Sequence, residues 1–248
     1  KMDFLGLSNL TVLSRAIENI RTSRERAAKW SKDLAAKAEV LLDQGILAIP
    51  LDDAPTYEML GRGETVGVFQ LESGGMTRCV KDLKPQSVRE LAALVALYRP
   101  GPMEHIPRFV NLKHGRAEPE FLDPKMQPIL EETYGVIVYQ DQVLKLVQAL
   151  AGFSLGKADI LRRAMGKKDK AQMDSLQSEF KEGCTANSVD GSVADKVWEL
   201  LLPFAGYAFN KAHAVCYAMI AYQTAFLKAN FPVEYMAALL AVYRDKED

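Results

Sequence analysis

Cysteine is scarce in this chain: Cys79, Cys184 and Cys216 are the only three in 248 residues, odd in number and far apart. They offer neither the paired spacing of a zinc site nor a disulfide framework, which points to a reducing, cytoplasmic setting. Long apolar runs are missing too. None approaches the ~20 residues of a membrane span, and nothing at Lys1 resembles a charged-then-apolar signal peptide, so secretion and membrane insertion are not expected. Histidine is as sparse as cysteine, and His105, His114 and His213 lack helical ligand spacing with one another. Charge of one sign is not in excess either. With 31 Lys plus Arg against 32 Asp plus Glu, the net charge of -1 gives no global pull toward nucleic acid, and any anion site must be local. Repeats of 20 to 50 residues and low-complexity tracts are absent, which excludes solenoids and disordered linkers.

What is present is a chain with 48% hydrophobic residues, enough to build one large domain or two modest ones. Leu10, Leu13, Ile17 and Ile20 share a helical face, and an Ala-rich charged stretch from Ala35 to Leu42 reads as a second surface helix. Asp53 can cap a short helix with Pro55 in its first turn. Ser87 can cap a helix through Tyr98, which Arg99-Pro100-Gly101-Pro102 must end as a rigid corner. Further helices are predicted over Gln140 to Ala151, Gly156 to Met165, from Asp169 to about Gly183, and after Ser192 as cap. Lys211 to Asn230 and Val233 to Tyr243 are the most apolar helices and the expected core. Thr65 to Leu71 and Val136 to Tyr139 read as short extended segments, too short to make a sheet-based fold. The expected class is mainly α with a few short β segments.

Familiar chemical motifs fail on spacing. Gly61-Arg62-Gly63 with Gly67 brings its third glycine one residue late for a dinucleotide loop, and Gly152 to Gly156-Lys157 is one residue short of a phosphate loop. Ser73 lacks a nucleophile-elbow pattern, and Glu131-Glu132 diverge by about 100° on a helix, so neither is assigned catalysis. One segment stands out. Ser154 to Lys168 carries five cations, Lys157, Arg162, Arg163, Lys167 and Lys168, against the single carboxylate of Asp159. Two readings are open on charge alone: cations complementing a helix end closed by Gly166, or a helix that holds a polyanion.

The order of six motifs resolves this further. Lys1-Met2-Asp3-Phe4-Leu5-Gly6-Leu7, Ile49-Pro50-Leu51-Asp52-Asp53, Val68-Phe69-Gln70-Leu71-Glu72-Ser73, Leu97-Tyr98-Arg99-Pro100-Gly101-Pro102, Leu161-Arg162-Arg163-Ala164-Met165-Gly166-Lys167-Lys168 and Phe209-Asn210-Lys211 succeed one another. In that order they closely resemble the bacterial DNA polymerase III α subunits, the C-family replicative polymerases. The resemblance runs to about Arg244, leaves Thr22 to Gln44 without a matching motif, and suggests an excised part of a longer subunit. It implies a multi-helical fingers domain over 10–248 preceded by the tail end of a palm over 1–9. Within the fingers it implies N-terminal helices at 10–48, a mixed helix, loop and short-strand part at 49–139, and a helical nucleotide-facing part at 140–248.

The resemblance also implies roles. Asp3 matches the third metal-binding aspartate of the palm, catalytic through two Mg²⁺ ions that need two further carboxylates from outside this chain. Lys1, Arg162, Arg163, Lys167 and Lys168 would bind the phosphates of an incoming deoxynucleoside triphosphate. Adjacent arginines leave a helix in different directions, so one is expected on phosphate and the other supporting template or fold. Asn210 would cap a helix whose N-terminus, with Lys211, approaches phosphate or the nascent base pair. His213, Tyr207 and Phe209 are further candidates, the two aromatics as base-stacking groups, whereas Tyr217 and Tyr222 are read as core and Arg99 as structural. Ala208 and Ala212 depart from the family's glycine and serine. Expected partners are the incoming dNTP, primer-template DNA and other holoenzyme subunits, the sliding clamp being reached mostly through regions elsewhere. The activity expected of the whole subunit is DNA-directed DNA polymerisation, with this chain inactive alone. The alternative reading is a non-catalytic helical module that binds nucleic acid or another polyanion.

Overall fold

The computed structural model describes residues 7–24, 30–167, 170–207 and 209–244, with backbone alone at 165–167, 170–171 and 203–207. These residues form thirteen α-helices. In chain order they are α1 (Ser8–Arg24), α2 (Lys32–Gln44), α3 (Ala54–Gly61), α4 (Gly74–Leu83), α5 (Val88–Leu97), α6 (Ile106–Lys113) and α7 (Gln127–Leu130), followed by α8 (Gln140–Ala151), α9 (Leu155–Lys167), α10 (Lys170–Ala186), α11 (Gly191–Tyr207), α12 (Lys211–Asn230) and α13 (Pro232–Tyr243). The chain is therefore mainly α, and none of the described helices is long and apolar enough to cross a membrane. Two compact units divide it: Lys1–Leu91 with Tyr217–Asp248, and Ala92–Cys216.

In the first unit α1 packs along α13. Its buried stripe is Val12, Leu13, Ala16 and Ile20, and Leu10 is 52% exposed. The seam thus follows the four-residue ridge Val12-Ala16-Ile20 instead of the face centred on Leu10 and Ile17, small Ala16 permitting close approach. Across it, the Asn19 amide donates to the Glu234 carbonyl at 3.0 Å. Asp53 caps α3 as expected, accepting from the Thr56 N–H at 3.1 Å and hydroxyl at 2.5 Å, with a proline in the first turn. Its side chain is also buried and paired. Lys37 of α2 approaches it at 2.7 Å and the Asn230 amide of α12 donates at 3.0 Å. Tyr222 of α12, fully buried as the sequence suggested, accepts from the Asp53 N–H at 3.3 Å and donates to the Pro50 carbonyl at 2.5 Å.

Thr65 to Leu71 is not a strand. It is a succession of turns, with i to i+3 bonds from Val68 to Thr65 and from Leu71 to Val68 and positive φ at Gly67 and Gln70. Its backbone groups find side-chain partners in place of a ladder. Tyr235 donates to the Gly67 carbonyl at 2.6 Å, Thr224 accepts from the Phe69 N–H at 3.1 Å, and the Lys228 ammonium donates to the Glu64 and Val66 carbonyls at 2.8 and 2.7 Å. Buried polar backbone needs partners, and helices α12 and α13 supply them. Of these two, α12 meets the expectation of a core helix, buried without interruption from Ala221 to Leu227, whereas α13 leaves Val233 and Leu240 exposed.

The second unit has its own core, made where α8, α9, α10 and α11 pack on one another. Phe180 sits at its centre, 6.1 Å from the ring of Phe153 and 5.4 Å from Trp198. A Cβ on Gly183 would collide with the carbonyl of Ala151, so glycine there lets α10 close on α8. Helix α11 is capped by Asp190 and not by Ser192: the Asp190 carboxylate accepts from the Ser192 N–H at 2.8 Å and from its hydroxyl. Carboxylate oxygens out-compete a hydroxyl for free amide donors. Asp169, the expected cap of α10, lies outside the described residues. Helix α9 runs to Lys167 and therefore through Gly166, which does not end it.

Val136 to Tyr139 forms no strand: among the described residues its one bridge is the parallel one between Tyr139, which is extended, and Phe209. Buried Gln142 at the start of α8 fixes this segment. Its carbonyl accepts from the N–H groups of Val138 and Tyr139 at 2.8 and 3.0 Å, while its amide donates to Thr133 at 2.8 Å. One side chain thereby holds the segment that, through the bridge, places Phe209 and the start of α12.

Candidate functional site

The cationic stretch is a helix with one face in the core. Ala158, Leu161 and Ala164 of α9 are buried at 1% exposure or less. Advancing about 100° per residue, the helix must then turn Asp159 and Arg163 toward solvent and leave Arg162 at the edge. Arg163 is the most open at 67% side-chain exposure, while Asp159 and Arg162, in contact with each other, are 31% and 32% exposed. Adjacent arginines, expected to diverge, converge instead on one carboxylate. Arg162 donates from Nε at 2.9 Å and Nη2 at 2.8 Å to Oδ1 of Asp159, and Arg163 donates from Nη2 at 2.7 Å to Oδ2. Residues three and four apart are helix neighbours, and the guanidinium stems are long enough to cancel the difference in direction. Arg162 first, then Arg163, holds the Asp159 carboxyl below the usual carboxylate range.

Lys157, on the same helix, has another employment. It pairs with Glu179 of α10 and lies 4.4 Å from the centroid of the Phe153 ring, a tie between α9, α10 and the core. Lys168, Lys1 and Asp3 lie outside the described residues, as do the side chains of Lys167 and Tyr207.

A second cluster gathers where α12 begins. Asn210 caps the helix as expected, accepting from the His213 N–H at 3.0 Å. Lys211 is held by Glu132, with both carboxylate oxygens 2.7 Å from Nζ, and its ammonium is 5.7 Å from the ring centroid of Tyr139. Burial, then the neighbouring Glu132 carboxylate, pushes the Tyr139 hydroxyl well above its ordinary value, so it stays a neutral partner. The Arg99 guanidinium covers one face of Phe209 at 4.1 Å, and the His213 ring meets Phe209 edge-on at 5.2 Å. Arg99 therefore does more than fix a corner. Its partial burial lowers its pKa, and its Nε also donates to the Ala96 carbonyl at 2.9 Å.

The structure thus groups Phe209, Asn210, Lys211 and His213 in one place and Arg162 with Arg163 in another, each set of cations closed by its own carboxylate. Two members were missed in the sequence. Asp159 shows a signal, since its spacing of three and four residues to the arginines is visible. Glu132 shows none, because its partner lies 79 residues away. A metal-binding set is a separate matter: no group of three or more His, Cys, Asp or Glu side chains suited to a metal ion occurs among the described residues. These residues do not fit a two-Mg²⁺ centre.

Residues 9–188 match the family model of the bacterial DNA polymerase III alpha subunit finger domain. The chain is similar to the DNA polymerase III subunit alpha of Caulobacter vibrioides, 48% identical over 242 residues, and to that of Thermus aquaticus, 47% identical over 253. The match to the Haemophilus influenzae subunit is 45% over 255 residues. These alignments cover 98 to 100% of this chain but only 19 to 21% of each relative, so the chain spans about a fifth of their length. With most of its length matched by the family model and nearly all of it by relatives, the chain belongs to the finger-domain family of bacterial DNA polymerase III alpha subunits.

Proposed function

We propose that this chain is the fingers part of a replicative DNA polymerase and contributes the surface that receives the phosphates of an incoming deoxynucleoside triphosphate over primer-template DNA. The observation that carries the reading is the guanidinium pair of α9, Arg163 facing solvent and Arg162 at the edge, set on a helix whose opposite face is locked into the core. Arg162 and Arg163 present planar donor forks suited to phosphate oxygens. Lys167 and Lys168 extend that positive surface. Asn210 and Lys211 act at the start of α12, where the helix N-terminus and the ammonium favour an anion. The Arg99, Phe209, His213 stack braces that helix start, and Phe209 and Tyr207 are the aromatic groups nearest in sequence for contact with a base. The family match weighs against an autonomous polyanion-binding module.

Nucleotidyl transfer itself belongs to the complete subunit in this reading. Asp3 is proposed as one of three palm carboxylates that would hold Mg²⁺ in the complete subunit, the other two coming from outside this chain. The chain alone is then unable to extend a primer. In the complete subunit the division is between 1–9 as palm and 10–248 as fingers, the partners are the other holoenzyme subunits and the clamp, and the setting is the bacterial cytoplasm.

The test separates nucleotide from DNA. Binding of deoxyadenosine triphosphate and of a primer-template duplex is measured for the chain and for Arg162→Ala, Arg163→Ala and Lys211→Ala. Loss of triphosphate affinity with duplex affinity retained is expected. Loss of duplex binding alone, or primer extension by the purified chain, overturns the reading.

A further inference from the structure

Both groups of candidate cations are already paired with a carboxylate of the chain itself: Arg162 and Arg163 with Asp159, and Lys211 with Glu132. The Asp159 arrangement is the more complete. Arg162 spends two donors on one oxygen and Arg163 spends one on the other, so both oxygens are engaged and the Nε–Nη2 edge of Arg162 is turned inward. Edges of this kind are what a phosphate needs for fork-like contact.

We infer that Asp159 is a resident counter-ion, a positioning residue that holds the two arginines ready and must yield them when a polyanionic phosphate arrives. The inference rests on the phosphate-binding reading of Arg162 and Arg163. Its physical basis is competition. Asp159 is tethered within one helical turn of both arginines, so its effective concentration is high and a singly charged anion with two oxygens gains little by replacing it. A terminal phosphate brings three acceptor oxygens and close to two charges, and the rest of a triphosphate adds more. The carboxylate therefore raises the threshold for binding and discriminates by ligand charge. It also orders the guanidinium stems beforehand, which lowers the entropy lost on ligand capture. The fold does not require it. Asp159 is on the solvent side of α9, and both partners belong to its own helix.

The decisive measurement is the dissociation constant of inorganic tripolyphosphate at low ionic strength, by titration calorimetry, for the chain and for Asp159→Asn, Arg162→Ala, Arg163→Ala and Glu182→Gln. Glu182 is an exposed acid of α10; its neutralisation controls for the change in net charge. Asp159→Asn is expected to tighten binding about threefold to tenfold, the equivalent of losing one or two exposed ion pairs to a competitor. Glu182→Gln should give less than half of that gain, and the arginine variants should weaken binding. Asp159→Ala serves as a second variant should the asparagine disturb the helix. If the arginine variants weaken binding but neither Asp159 variant exceeds Glu182→Gln, the inference fails and the phosphate reading stands. If the arginine variants bind like the parent chain, both fail. Detectable binding by Asp159→Asn where the parent shows none supports the inference; its absence from both overturns it.

Discussion

Asp53 and Asp159 are both aspartates paired with cations, yet they sit in opposite environments. The Asp53 side chain is 2% exposed and gathers Lys37 from α2, Thr56 from α3 and Asn230 from α12. Asp159 is 31% exposed, and its cationic partners are three and four residues along α9. Each carboxyl is held below its ordinary range. For Asp53, burial works the other way and is overcome by hydrogen bonds from Lys37, Thr56 and Asn230; for Asp159, the Arg162 contact dominates. A carboxylate that joins three elements carries fold stability, because removing it strands buried partners. One that pairs within its own turn strands nothing, which leaves its cations exchangeable.

The largest effect should follow from Asp53→Ala. It deletes the α3 cap and half of a buried ion pair, leaving the Lys37 ammonium, 13% exposed, with exposed Asp33 and the Asn230 side-chain oxygen. Breaking a buried pair and a cap together costs about 3 to 5 kcal/mol, read as a lower urea midpoint at unchanged slope. A loss below about 1 kcal/mol would remove the contrast between the two aspartates.

Titration sharpens the same contrast. The Asp53 pKa is depressed below 3.8 in the folded chain, so its contribution is fully present above that value and is lost as pH falls through the folded pKa. Lys37 is raised above 10.5 despite its burial, by Asp33 and then Asp53, so its contribution is present below 10.5 and lost as pH rises through the folded pKa. The stability gap between the parent chain and Asp53→Asn should therefore be flat across neutral pH and close in acid below 3.8. Equilibrium unfolding at a series of pH values checks this, and a gap that closes near neutrality counts against it.

The same contrast marks what could be read from residue order. The Asp53, Ser87 and Asn210 caps were legible because capping is a contact over two or three residues, as the bonds to Thr56, Glu90 and His213 show. Asp159 was legible in principle for the same reason. Thr65 to Leu71 was not: its apolar, β-rich composition suggests a strand, while its backbone partners Thr224, Lys228 and Tyr235 are more than 150 residues distant. Glu132 escaped notice because only the fold brings Lys211 to it. Composition and spacing report local competition for backbone groups, and long-range partners overrule it where they bury the segment.

Glu132→Gln tests an intermediate case. The Lys211 pair joins the 131–133 turn to α12, but both side chains are about one-third exposed, at 29% and 34%. Solvent screening limits the loss of stability to about 0.5 to 1 kcal/mol. Arg99 and His213 still hold Phe209, so the Tyr139 to Phe209 bridge should persist and amide exchange at Gln140, whose N–H donates to the Phe209 carbonyl at 3.0 Å, should stay slow. Fast exchange there would make Glu132 a structural tie like Asp53.

Smallest of all should be the effect of Asp159→Ala on folding. Alanine is the best helix former, the lost partners are in the same helix, and the Ala158, Leu161 and Ala164 stripe that seats α9 is untouched. Melting temperature and helical content should match the parent chain within scatter, at both low and high salt, even as the two guanidinium groups are released to solvent. A clear drop in melting temperature would place Asp159 with Asp53 as part of the framework. An unchanged one separates the two aspartates on physical grounds: the buried carboxylate is needed for the fold to close, and the exposed one can be removed without the chain registering its loss, as an exchangeable partner of two arginines must be.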